Sequence, residues 1–225
     1  MERIEDTWLI VPLYNEAEVI GDVISHARSV FPNVVCVDDG SRDSSAREAE
    51  RAGAIVIRHP INLGQGAALQ TGFEYFLTRT DGAYLATFDA DGQHQIEDVA
   101  AMRERAIRDG LAIVLGSRFL DGSTQEMSAF RKLVLRAATL FTRLSTGVSF
   151  TDAHNGLRLL RRDAVSTLDL KHNRMAHASE IVDQLMASGL PWSEAPVHIK
   201  YTEYSRAKGQ SALNSVNILV ELLLG

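Results

Sequence analysis

Apolar residues along this chain fall into two rhythms. Short, nearly unbroken runs (Trp8–Leu13, Val34–Val37, Ala54–Arg58, Tyr84–Phe88 and Leu111–Leu115) alternate with longer segments in which apolar positions recur every three or four residues. The runs have strand length, whereas the longer segments have the period of helices packed by one face. The first helical segment starts at Asn15, where Glu18 three residues on completes a capping-box sequence, and its stripe is Val19, Ile20, Val23, Ile24 and Ala27. A polar helix follows over Ser44–Ala52 and is closed by Gly53. Asn62-Leu63-Gly64-Gln65-Gly66 opens a third helix that runs to Leu77, and a fourth covers Ile96–Arg108 and stops at Gly110.

Strands that alternate with helices and are apolar on both faces predict an α/β fold, with a mostly parallel central sheet flanked by helices. Sheets of this kind bind ligands at the carboxyl ends of their strands. Those ends carry Tyr14-Asn15-Glu16, Asp38-Asp39-Gly40-Ser41 and Asp89-Ala90-Asp91, so three separate strand ends bring acids and amides to one rim.

The second half is less regular. Ser128–Thr146 reads as a helix with Phe130, Leu133, Val134, Ala137, Phe141 and Leu144 on one face, basic residues elsewhere and no acid. Gly156–Leu160 and Ala195–Tyr201 are expected strands, Ala178–Ala187 a helix and Ser211–Leu224 a closing helix.

Composition narrows the class. The 225 residues, 45% hydrophobic and 23% charged, suit one large globular domain over 1–225. A net charge of −6 argues against a general nucleic-acid binder. The single cysteine, Cys36, excludes an intrachain disulfide and a cysteine-based zinc site, and it suits a reducing compartment. The charged N-terminus is not a secretory signal, and the apolar run Ile218–Leu224 is too short to cross a bilayer. The expected location is cytoplasmic.

Asp89 and Asp91 end an apolar strand. Side chains at i and i+2 of an extended chain project the same way, and Gly92 lets the chain turn directly afterwards. Two carboxylates that close repel unless a cation sits between them, and a hard divalent ion with oxygen ligands fits. Asp-x-Asp-Gly is also ordinary turn chemistry, so the pair alone leaves both readings open.

Taken in order, Val11-Pro12-Leu13-Tyr14-Asn15-Glu16, Val37-Asp38-Asp39-Gly40-Ser41, Asn62-Leu63-Gly64-Gln65-Gly66 and Asp89-Ala90-Asp91-Gly92-Gln93 resemble the motif set of family-2 glycosyltransferases. The similarity is to the dolichol-phosphate-mannosyltransferase-like branch, and Gly116-Ser117-Arg118, Thr151–Arg158 and Tyr204–Ser211 extend it over nearly the whole chain. The resemblance implies a GT-A fold, with residues 1–118 as the nucleotide-sugar-binding half and 119–225 as the acceptor half.

It further implies roles. Pro12, Leu13, Tyr14, Asn15 and Glu16 would face the nucleoside of a UDP- or GDP-sugar, with Asp38 and Asp39 accepting from its base or sugar moiety. Gly66 would permit close approach of the donor, and Asp89, Ala90 and Asp91 would bracket its diphosphate through Mg²⁺ or Mn²⁺, with Gln93 as a third metal ligand. His94 is a weaker metal candidate, more in keeping with a satisfied polar neighbour. Arg118, Arg206 and Lys208 are candidate phosphate-facing cations, and Arg206-Ala207-Lys208-Gly209 has the composition of a closing loop.

Family-2 enzymes invert, and a hydroxyl acceptor would require a general base. Asp152 is the first candidate, with His154 and Glu180 behind it, whereas a lipid-phosphate acceptor is already anionic and needs none. Arg131, His154 and Asn155 are candidate acceptor contacts. His154-Asn155-Gly156 departs from the Thr/Ser-Gly turn usual in the branch, which keeps both a polyprenyl phosphate and a glycan hydroxyl open. The basic helix suggests peripheral contact with the inner face of a membrane, or with a membrane partner protein. A non-catalytic nucleotide-sugar-binding partner of a membrane assembly is the alternative function. A sugar-1-phosphate nucleotidyltransferase would need a Gly-rich basic signature after the first strand, which is missing here.

Overall fold

The structure is a computed structural model, and it describes residues 2–120, 150–152, 155–173 and 176–200. The helices expected over Ser128–Thr146 and Ser211–Leu224 lie outside the described residues, as do Arg131, His154, Arg206 and Lys208.

Seven strands form one sheet: β1 (Thr7–Leu13), β2 (Asn33–Asp38), β3 (Ile55–Arg58), β4 (Tyr84–Thr87), β5 (Ile113–Ser117), β6 (Arg158–Arg161) and β7 (Trp192–Pro196). Their spatial order is β3-β2-β1-β4-β6-β5-β7. Every pairing is parallel except those of β6, which runs antiparallel to both β4 and β5. The helices are α1 (Ile20–Arg28), α2 (Ser45–Arg51), α3 (Gln65–Arg79), α4 (Ile96–Asp109), the short α5 (Arg162–Val165) and α6 (His177–Ala187).

The period-2 alternation of each strand feeds two cores, one on each face. Leu9, Val11 and Leu13 of β1 and Val34 and Cys36 of β2 meet α1 and α4 through Ile20, Ile24, Val99 and Met102. Ile10, Val35 and Val37 point the other way, toward Phe73 and Phe76 of α3, in a core that also holds Ile181 and Leu185 of α6. Each such fully buried side chain contributes roughly 1.5–3 kcal/mol by leaving water. Cys36 is buried in this packing, which pushes its thiol well above the ordinary range and leaves it inert.

Two elements depart from expectation by more than two residues at an end. Helix α1 begins at Ile20, so Asn15 and Glu18 do not form a capping box. Asn15 instead takes a left-handed backbone (φ 53°), its N–H donates to Ser41 Oγ and its Oδ1 accepts from Arg42 N–H. Tertiary bonds between the loops after β1 and β2 outcompete the local cap. The last described strand is Trp192–Pro196, where Ala195–Tyr201 is expected: Val197 N–H still donates to Ser117 O of β5, but His198 N–H turns to Asp98 Oδ2 and Lys200 N–H to the Gln93 carbonyl, while Tyr201 lies outside the described residues. Among the described residues, no helix is long and apolar enough to cross a membrane.

Candidate functional site

The carboxyl ends of β1, β2 and β4 open onto a cavity of about 420 Å³. Pro12, Leu13, Tyr14 and Glu16 form one wall, Asp39, Asn62, Gly64 and Gln65 another, and Asp89, Ala90 and Asp91 a third. The sheet order explains the convergence, since β1 lies between β2 and β4 and the three loops meet above it. The wall after β1 is laced to the loop after β2: beyond the Asn15 bonds, Glu16 N–H donates to Ser45 Oγ at 2.7 Å.

Asp39 and Asp38 have different surroundings. Asp39 lines the cavity, yet its carboxylate already accepts from Leu63 N–H (2.9 Å) and Gly64 N–H (2.7 Å) and lies 2.8 Å from His59 Nδ1. Asp38 is fully buried, is not among the lining residues, and accepts from Ser41 N–H and Arg58 Nε. Gly66 serves a close chain approach: its N–H donates to Asn173 O at 2.9 Å, and a Cβ there would fall 2.1 Å from His172 O.

Asp89 and Asp91 are the least balanced charges on this rim. Burial raises the Asp91 carboxyl above the ordinary aspartate range, and the neighbouring Asp89 charge raises it further. Asp91 accepts from Gln93 N–H (3.0 Å) and Gln93 Nε2 (2.8 Å), which leaves the Gln93 amide oxygen as the atom of that side chain able to ligate. His94 is buried and orients its neighbour. Its Nδ1 accepts from Asp89 N–H at 3.1 Å, so the ring proton sits on Nε2, 3.4 Å from Asp89 Oδ2. Gly156 packs so closely that a Cβ would stand 2.8 Å from that same Oδ2. Two carboxylates plus an amide oxygen are a hard-oxygen donor set, and their surplus of negative charge fits Mg²⁺ or Mn²⁺ completed by phosphate oxygens and water. Among the described residues no group of three or more His, Cys, Asp or Glu is arranged to hold an ion alone, so a ligand's oxygens would have to complete the shell.

Asp152 and Arg118, expected apart as base and phosphate contact, are bound to each other. Arg118 donates from Nε to Oδ2 (2.6 Å), from Nη2 to Oδ1 (2.8 Å) and from its backbone N–H to Oδ2 (3.1 Å). Glu194 of β7 grips the same segment, accepting from the N–H groups of Thr151 and Asp152. Asn155 is buried, and its Oδ1 accepts from Leu157 N–H. Glu180 lies on α6 and staples a loop. Burial alone would raise its carboxyl, but the His172 and Lys171 N–H groups outweigh that and hold it below its ordinary range.

Arg158 was not anticipated as a site residue. It opens β6, opposite Thr87 of β4 and Leu115 of β5, and is almost wholly buried at the floor of the rim. Burial lowers its guanidinium to about 10, against the pull of Asp89 and Asp152. The signal was available, since Arg158 is the one charge within the apolar run Gly156–Leu160.

Comparison with known proteins identifies the family. The family model described as Glycosyl transferase family 2 matches residues 8–169. The UDP-N-acetylglucosamine–dolichyl-phosphate N-acetylglucosaminyltransferase of Methanococcus voltae is 32% identical over 241 residues, covering 96% of this chain and 94% of the relative. The polyprenol monophosphomannose synthase of Mycolicibacterium smegmatis is 30% identical, covering 94% of this chain and 82% of the relative. Among solved structures, the glucosyl-3-phosphoglycerate synthase of Mycobacterium tuberculosis, crystallised with Mn²⁺, UDP and phosphoglyceric acid, has a TM-score of 0.66. It is 18% identical and the match covers 96% of this chain and 78% of that one, a likeness of fold.

Proposed function

Because the chain belongs to glycosyl transferase family 2, in the dolichol-phosphate-mannosyltransferase-like branch, we propose that it transfers a sugar from a UDP- or GDP-sugar to a polyprenyl phosphate. The observation that carries the reading is the Asp89–Asp91 pair, with its surplus negative charge, at the edge of a cavity roomy enough for a nucleotide. Asp89, Asp91 and the Gln93 amide oxygen would hold Mg²⁺ or Mn²⁺, which when bound supplies charge neutralisation for the diphosphate. The walls after β1 and β2 would orient the nucleoside, and His94 keeps the Asp89 carboxylate turned toward the cavity side.

In the transfer, an acceptor oxygen attacks the anomeric carbon from the face opposite the diphosphate. The bond from that carbon to the β-phosphate oxygen breaks, its electron pair leaves with the nucleoside diphosphate, and the anomeric configuration inverts. The state of Asp152 supports a phosphate acceptor over a hydroxyl. Both of its oxygens are taken by Arg118, so it is poorly placed to collect a proton, and a phosphate oxygen has none to give up. The names of the relatives from Methanococcus voltae and Mycolicibacterium smegmatis point to the same acceptor class. The lipid tail of such an acceptor would bring the protein to a membrane surface as a peripheral visitor.

The test is transfer of labelled sugar from UDP-N-acetylglucosamine or GDP-mannose to a short polyprenyl phosphate, with and without Mn²⁺. Asp91→Ala should lower the rate by about a thousandfold, the several kcal/mol an ion contributes to a leaving diphosphate. Turnover that needs no metal and survives the substitution would overturn the reading.

A further inference from the structure

A second, smaller cavity of about 180 Å³ adjoins the first and shares Pro12, Gln65 and Asp89 with it. Thr87, Gly156, Arg158 and His177 complete its polar side. The volume corresponds to roughly six waters, which suits one monosaccharide ring and is too small for a nucleotide. Arg158 is 3% exposed, and among the described residues no hydrogen bond or ion pair reaches its guanidinium. A guanidinium carries five donors, and one buried without partners is costly unless something else meets it. Asp89 and Asp152 act on it only from beyond contact distance, and Asp152 is engaged by Arg118.

We propose that this annex is the subsite for the transferred sugar and that Arg158 determines its specificity, donating hydrogen bonds to oxygen atoms of that sugar. The inference rests on the glycosyl-transfer reading and adds a residue and a location to it. Placement on β6, clamped between β4 and β5, gives the guanidinium a rigid base from which to discriminate among ring substituents. An interaction made with the sugar alone has a distinct signature. It raises affinity for a nucleotide sugar and leaves affinity for the bare nucleoside diphosphate unchanged.

Calorimetry with Mn²⁺ and the pairs UDP/UDP-N-acetylglucosamine and GDP/GDP-mannose measures that signature in the wild type, Arg158→Met and Arg158→Lys. The expected result is nucleotide binding unchanged in all three, with the additional affinity due to the sugar reduced about tenfold or more in Arg158→Met. Arg158→Lys should restore part of it, and thermal unfolding should stay within a few degrees of the wild type. If Arg158→Met keeps the full sugar increment, or loses nucleotide binding together with thermal stability, the annex assignment is overturned and Arg158 is a structural cation. Failure of the wild type to bind any of the four nucleotides would instead count against the glycosyl-transfer reading itself.

Discussion

The Arg118–Asp152–Glu194 cluster and the Asp89–Asp91 pair lie on one rim of the sheet, but their charges are met differently. In the first, each carboxylate has a cation or several N–H groups from its own chain. In the second, two acids share the Gln93 amide and one imidazole, and burial works against the ionisation of Asp91. A cluster satisfied internally holds the framework. A cluster left with excess charge is where an outside cation gains most, so the imbalance marks the chemistry better than the mere presence of acids.

Breaking the satisfied cluster should have the largest effect on stability. Asp152→Asn removes the charge that Arg118 Nε and Nη2 both bind in a mostly buried pair, and denaturant unfolding is expected to show a loss of about 3 kcal/mol. Sugar transfer to a phosphate acceptor should nevertheless stay within about tenfold of the wild type. A fall of a hundredfold or more would make Asp152 a base and the acceptor a hydroxyl.

The unsatisfied pair should respond in the opposite direction. Asp91 binds its proton more tightly in the folded chain than in the unfolded one. Between its ordinary value and its raised folded value the native state therefore holds more protons, and stability falls as pH rises through that window. Asp91→Asn should then be more stable than the wild type at neutral pH without metal, with the gain shrinking as pH is lowered through the folded value. Melting curves with and without Mn²⁺ check both parts. The metal-induced rise in the wild type should weaken toward acid pH and be absent in the variant.

The smallest effect is expected at Arg58. It is the partner of fully buried Asp38 but is itself mostly exposed, so Arg58→Ala should cost under about 1 kcal/mol. A larger loss would mean that Asp38 depends on that cation more than on its Ser41 N–H.

Those contrasts also show what the sequence could and could not convey. The five strands of the first half and the acids at their ends were legible because hydrophobic runs, glycines and polar loops are local signals. Glu16, Asp39, Asp89 and Asp91 duly line one cavity. The insertion of β6 between β4 and β5 was not legible, since strand order depends on pairings between residues far apart in the chain. For that reason the sequence suggests separate tasks for Arg118 and Asp152, which form one clamp, and the place of Arg158 on the rim emerges only from the strand order. Asn15 shows a local rule losing to distant partners: its capping-box spacing is sound, but Ser41 and Arg42 from another loop claim it.

The reversed direction of β6 has a practical consequence. The chain leaves the rim after Ser117 and returns to it at Thr151, where the two hydroxyls touch at 2.5 Å. The span in between thus departs and arrives at one stapled doorway, and neither flank of the sheet has to move to suit its length. A change of length between Ser117 and Thr151 would therefore leave the rim loops after β1, β2 and β4 where they are.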